Sequence, residues 1–167
     1  MIHSACSSFF IGAALLDAVS RAASESPRRR CNHNFHAADA DVCHRLLNAI
    51  EPGSYVPPHR HLDPAKDETM IVLRGALGVV LFDASGTVTA HARLTPGGDP
   101  LAVNIPHGTF HTVLGLVPGT VFFESKAGPY TPLAAAEKAP WAPLEGADGA
   151  ATYYRELARS FALHSTH

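Results

Sequence analysis

The sequence predicts an all-β barrel or sandwich with one helix near each end. Apolar runs of strand length, about eight of them, recur through the middle of the chain, each closed by Gly, Pro, Asp or Ser. Helical spacing of apolar residues is confined to the two ends. His59 and His61 stand two apart, the spacing with which a pleated strand presents two side chains on one face.

The 167 residues suffice for one domain with a sizeable core, and 46% hydrophobic with 17% charged residues is the balance of a globular chain. A net charge of -2 with His neutral leaves no strong field to gather nucleic acid or anionic lipid, so small-molecule chemistry is expected, with neither a nucleic acid nor a membrane partner. The cysteines Cys6, Cys31 and Cys43 are odd in number and form no C-x-x-C pair, which points to a reducing cytoplasm rather than a disulfide framework. Residues 9–16 have the look of a signal-peptide core, but no Lys or Arg precedes them and Asp17 ends the run, so secretion is not expected. No apolar run approaches the roughly 20 residues needed to cross a bilayer.

One domain is expected over residues 1–167, with 1–27 a helical appendage, 28–130 the β core and 131–167 a strap and helix. Ser7 and Ser8 can cap a first helix whose apolar face includes Phe10, Ala13, Ala14, Leu15, Ala18 and Val19 and which lies on the outside of the barrel. Arg28, Arg29 and Arg30 read as a solvated patch or as partners of acids near the C-terminus. Residues 31–35 form a strand with Asn32, Asn34 and His36 on one face and His33 and Phe35 on the other. His33 and His36, near a strand end, are expected to be hydrogen-bonding residues rather than ligands. Residues 42–50 make the next strand, ended by Pro52-Gly53.

From Tyr55 the alternation puts Tyr55, Pro57, His59 and His61 on one side, and because Pro57 and Pro58 cannot donate ladder hydrogen bonds the segment should be an edge or a bulged entry. Residues 62–67 turn the chain into a strand over 68–73, so Glu68 enters the interior with Met70 and Val72. Further strands are expected over 77–82, 87–94, 101–105, 110–116 and 121–126. On the last, Phe122, Glu124 and Lys126 share one face, and alternation alone leaves open whether that face looks inward, as it does for Asn32 and Asn34. Trp141 is expected to dock as an apolar plug within an extended strap, and residues 152–162 to form a closing helix beyond which His164 and His167 fray.

Two imidazoles on one strand face, their Cα atoms about 6.5–7 Å apart, suit one metal ion, and Glu68 adds a carboxylate from the neighbouring strand. A fourth candidate is His111, on the strand that follows the turn at Pro106 and Gly108. Any one of these histidines alone reads as a buried neutral imidazole; together they favour a divalent metal. Mixed nitrogen and oxygen donors without Cys suit iron, manganese, nickel or zinc.

These stretches resemble the two cupin motifs. Gly53, five residues, His59-x-His61, Glu68, six residues and Gly75 are similar to the first; Pro106-x-Gly108-x-x-His111 is similar to the second. Two departures stand out: six residues separate His61 from Glu68, more than is usual, which lengthens a hairpin, and Gly115 stands where Asn is usual. Residues 26–36, 45–61, 75–83, 124–130 and 139–146 further resemble the WbuC-type cupin-fold metalloproteins, covering most of the chain from about residue 26 to 146. The resemblance implies a cupin double-stranded β-helix, a jelly-roll barrel, with His59, His61, Glu68 and His111 holding one divalent metal. It implies a homodimer as well, paired through the Pro-rich edge near Pro57 or the N-terminal helix.

The first expected function is a metal-dependent enzyme acting on a small polar, sugar-related or anionic molecule, the ion serving as Lewis acid. The family's association with surface-polysaccharide gene clusters tilts the substrate towards sugars. Tyr55 is then a candidate proton donor and Arg60 a candidate holder of a carboxylate or phosphate. Two alternatives use the same barrel: a non-catalytic, metal-organised binding or sensor module, and a metal-free sugar isomerase or epimerase with a histidine base.

Overall fold

The computed structural model describes residues 9–162, so Cys6, the Ser7 and Ser8 cap, His164 and His167 lie outside the described residues. Among the described residues eight strands form two antiparallel sheets. They are β1 (Arg30–Asn34), β2 (Cys43–Ile50), β3 (Glu68–Arg74), β4 (Leu77–Phe82), β5 (Val88–Leu94), β6 (Ala102–Ile105), β7 (Phe110–Gly115) and β8 (Thr120–Ala127), flanked by α1 (Ala13–Glu25) and α2 (Ala150–Ala162). One sheet runs β1-β2-β8-β3-β6 and the other β5-β4-β7. The chain crosses repeatedly between sheets, so that β8 lies between β2 and β3 and β7 beside β4, the winding of a jelly roll. The all-β jelly-roll class is the one expected from the sequence.

The core lies between the sheets, where Ile50, Met70, Val72 and Phe122 of the larger meet Leu77, Val79, Leu94 and Val113 of the smaller. The outer faces are covered too. Val19 and Ala23 of α1 pack on Leu47, Ala49 and Val121, while Leu157 and Phe161 of α2 pack on Val80, Phe82, Phe110 and Leu114. This double cover explains why β4 reads as an unbroken apolar run: both of its faces are dry. Phe10, expected on the apolar face of the first helix, is fully exposed because the helix starts later, at Ala13, with Gly12 as a cap that offers no side chain. Gly115 is explained by packing. A Cβ there would collide with the Ile50 carbonyl, where β7 passes close beneath the end of β2.

The segment carrying His59 is not a regular strand. It is tied to β7 by reciprocal bonds, His59 N–H to His111 O at 3.0 Å and His111 N–H to His59 O at 2.8 Å. Pro57 and Pro58 lack N–H groups, but the carbonyl of Pro58 accepts from Ala139 N–H at 3.1 Å and Arg60 N–H donates to Glu137 O at 2.9 Å. The edge expected to lie open near Pro57 is therefore covered by the chain's own strap. Trp141 docks as expected, 4.9 Å from the Phe82 ring and 5.9 Å from that of Phe110.

The strap is pinned electrostatically at its far end. Arg28 and Arg30 both pair with Glu145, each with a nitrogen at 2.8 Å, the C-terminal pairing that the arginine run anticipated. The hydrogen bond from Arg30, with Arg28 helping, outweighs partial burial and holds the Glu145 carboxyl at about 2, against an ordinary 4.5. Since the folded value is the lower one, the pairing stabilises fully above about pH 4.5 and loses its contribution as pH falls from there through about 2. Thermal unfolding of Glu145→Gln should therefore show a deficit against the wild type at neutral pH that shrinks steadily below about pH 4.5. A deficit independent of pH would contradict this account.

Candidate metal centre

Register decides which side chains meet. Across the larger sheet His44 faces Lys126 and Lys126 faces Glu68; one pleat further in, Leu46 faces Glu124 and Glu124 faces Met70; next come Asn48, Phe122 and Val72. Residues opposite one another share a face. The interior face thus grades from apolar at the Val72 end to charged at the Glu68 end. Asn32, opposite Asn48, joins the same face. Glu124, Lys126 and Asn32 accordingly look inward, the choice alternation left open.

Glu68, 2% exposed, opens β3 inside the barrel, and His111, also 2% exposed, reaches it from β7 across the interior. One donor atom from each of His59, His61 and Glu68 lies within 4.8 Å of the others. His111 is not part of that tightest group, but its Nε2 lies 2.9 Å from Glu68 Oε2 and its ring 4.6 Å from the His59 ring. His61 Nε2 lies 3.0 Å from Glu68 Oε1. The four residues named from sequence therefore gather at one point.

The imidazole orientations are fixed from behind. His59 Nδ1 lies 3.0 Å from the carbonyl of Pro57 and His111 Nδ1 3.0 Å from that of Thr109, so each ring donates N–H backwards. A carbonyl can only accept, so the protonated nitrogen is Nδ1 and the lone pair sits on Nε2. Burial, with the His111 ring beside it, pushes His59 down to about 3, so it is neutral near pH 7.

Two of the buried side-chain atoms without a hydrogen-bond partner among the described residues belong here, Glu68 Oε2 and His111 Nε2. Glu68 Oε2 and His111 Nε2 face one another at 2.9 Å without hydrogen-bond geometry. Such pairs of orphaned acceptors suit a shared cation. The donor set, three imidazoles and a carboxylate, fits a divalent transition metal.

Lys126 supplies positive charge to the same carboxylate. Its Nζ lies 2.7 Å from Glu68 Oε1 and 2.7 Å from Glu124 Oε1, while Asn48 Nδ2 donates to Glu124 Oε2 at 2.7 Å. Burial would raise Glu68, whereas the Lys126 ammonium beside it favours the ionised carboxylate. Burial would lower Lys126, but Glu124 and Glu68 together drive it above its ordinary value. Glu124, Lys126, Asn48 and Asn32, with His59, Glu68 and His111, border a cavity of about 240 Å³ whose far wall is Val56, Val113 and Phe122. The sequence left open whether Glu124 and Lys126 face this pocket and gave Asn48 no role.

Tyr55 and Arg60 are placed elsewhere. The Tyr55 hydroxyl donates to Pro143 O at 2.8 Å, and burial beside Tyr153 raises it above the ordinary phenol value. The Arg60 guanidinium lies 4.4 Å from the centre of the Phe110 ring and donates to Ala136 O. Because only His59 pairs as a strand residue, the alternation counted from Tyr55 does not hold along the segment. His33 packs edge-on against Phe35 and His36 stacks on His44, ring centres 3.9 Å apart, so neither reaches the centre.

The family model described as a domain of unknown function, DUF6016, matches residues 11–94, a span that includes His59, His61 and Glu68 but stops before His111, Glu124 and Lys126. No curated protein matches the chain. Among solved structures it is similar to KdgF from Halomonas sp., with 21% identity over 64% of this chain and 85% of that one and a TM-score of 0.49. A cupin superfamily protein of Desulfitobacterium hafniense DCB-2 is similar at 13% identity over 59% and 76%, TM-score 0.46. Oxalate decarboxylase of Lactobacillus farciminis, in its formate complex, is similar at 19% identity over 54% and 25%, TM-score 0.43.

Removing Lys126 in chelator-treated protein leaves two carboxylates facing a dry interior. Lys126→Met should cost about 3 kcal/mol in urea unfolding, the lower end for breaking a buried pair, because the lysine keeps 24% of its side chain in solvent. Added divalent metal should return most of the loss by binding only the folded state. Unchanged stability in chelator would contradict the arrangement described.

Proposed function

Since the chain belongs to the family described as a domain of unknown function, DUF6016, membership brings no reaction with it, and we propose one from the site. The protein is a divalent-metal cupin enzyme acting on a small polar molecule, with His59, His61, Glu68 and His111 as the metal ligands. The observation that carries this reading is the convergence of imidazole nitrogens, two with their tautomers set by the carbonyls of Pro57 and Thr109, on a buried carboxylate.

When bound, the ion would act as a Lewis acid on a substrate oxygen. The chain's own residues supply the rest. Val56, Val113 and Phe122 keep water from one side of the cavity, and the Lys126–Glu124–Asn48 network orients hydroxyl or carbonyl groups beside the centre. Lys126 and Glu124 take the positions of polar reacting groups for which Tyr55 and Arg60 were the candidates from sequence. The resemblance of residues 26–36 and 124–130 to WbuC-type proteins supports a sugar-related substrate, and the amide, ammonium and carboxylate beside the centre suit a molecule rich in hydroxyls.

Elemental analysis of purified variants tests the ligand set. The wild type should carry about one equivalent of a transition metal, Glu68→Gln and His61→Ala under about a tenth, and His33→Ala the wild-type amount, with circular dichroism unchanged throughout. Wild-type metal content in both Glu68→Gln and His61→Ala would overturn the reading.

A further inference from the structure

The hairpin between His61 and Glu68, longer than the cupin motif usually has, brings Lys66 to the centre's outer side. Its backbone is held by a turn, Lys66 N–H to Asp63 O at 2.9 Å, and its ammonium points back into the protein. There Nζ donates to Pro129 O at 3.0 Å and to Thr131 Oγ1 at 2.8 Å, both neutral oxygens. Lys66 is only 9% exposed, and among the described residues it forms no ion pair with any carboxylate. Glu137, which feels its charge at longer range, has its oxygens taken by the N–H groups of Leu62 and Ala134. A buried ammonium without a counter-charge is rare, because burial removes its water and nothing charged replaces it.

The space beside it explains what the charge serves. A cavity of about 210 Å³ is lined by Lys66, Lys126, Tyr130 and Thr131 together with His59 and His61, and no carboxylate among the described residues lines it. Lys126 is already neutralised by Glu68 and Glu124, which leaves Lys66 as the unmatched cation of that wall. The cavity is separate from the one bordered by Asn48 and Glu124, yet both include His59 and Lys126.

We infer that this second cavity is an oxyanion subsite, in which Lys66 binds a carboxylate or phosphate group of the substrate. The substrate is then a small molecule with an anionic group at one end and polar oxygens at the other. Lysine suits this task as a compact point charge with a donor to spare, while Thr131 fixes its direction. Arg60, which sequence made the anion holder, lies over Phe110 and does not line this cavity. The inference deepens the proposed function and rests on it only in setting the anion beside the metal ligands.

The test is anion-dependent thermal stabilisation of the protein as purified and again after chelator treatment, with sodium phosphate and sodium acetate compared with sodium chloride at equal ionic strength. Phosphate, acetate or both should raise the wild-type unfolding temperature above chloride, and the more effective anion names the substrate's anionic group. Lys66→Gln should weaken the apparent affinity about tenfold or more, whereas Lys66→Arg, which keeps the charge, should retain a response. As a readout that needs no variant, the Lys66 ε-methylene NMR signal of the wild type should shift as the effective anion is added. No stabilisation above chloride, a Lys66→Gln response equal to the wild type, or an unmoved Lys66 signal would overturn the inference. Were the metal reading wrong instead, the two preparations would behave alike and the dependence on Lys66 would persist, so the two failures are distinguishable.

Discussion

Everything near the centre of this barrel answers to one constraint, the negative charge of Glu68 in a place almost without water. A buried carboxylate must be matched by cations or protonated. Here the matching cation is Lys126 on the next strand, and the His61 and His111 rings close round the carboxylate from the irregular entry segment and from the opposite sheet. The two sheets therefore meet through polar side chains at one end and apolar packing at the other. Neither end substitutes for the other, because the charged end needs the dry one to keep solvent away and the dry end does not select metal or ligand.

The entry segment shows how the chain accommodates a poor strand former where it brings His59 and His61 up to Glu68. Two prolines remove two donors, and an exposed edge there would invite pairing with another chain. The strap over residues 137–139 takes up the remaining carbonyl and N–H on one side, and β7 takes up those of His59 on the other. The strap is itself anchored by Trp141 and Glu145, so elements far along the sequence hold the His59 backbone in place.

Much of this was legible in the sequence. The bounds of β4 and the turn before His111 follow from apolar runs and from Gly and Pro, whose backbone preferences are local. The gathering of His59, His61, Glu68 and His111 followed from spacing and from the cupin resemblance. What stayed hidden depends on longer-range geometry. Period-two alternation tells which of Phe122, Glu124 and Lys126 share a face but not which face is inside, since that is set by pairing with β2 and β3. Tyr55 was assigned through a regular pleat that the prolines interrupt, and Arg60 only as a neighbour of the two histidines that a twist would bring to the mouth. Lys66 looked like an ordinary turn lysine, and only the folding of residues 129–131 over it turns its ammonium inward.

The central claim is that one metal ion is held by four residues drawn from three segments. An anomalous-difference map from crystals of metal-loaded protein tests it most directly. The account predicts a single strong peak within about 2.0–2.3 Å of nitrogen atoms of His59, His61 and His111 and of a Glu68 oxygen, with Lys126 withdrawn towards Glu124. A peak away from Glu68, or one coordinated by Cys31 or by the stacked His36 and His44 pair, would contradict it.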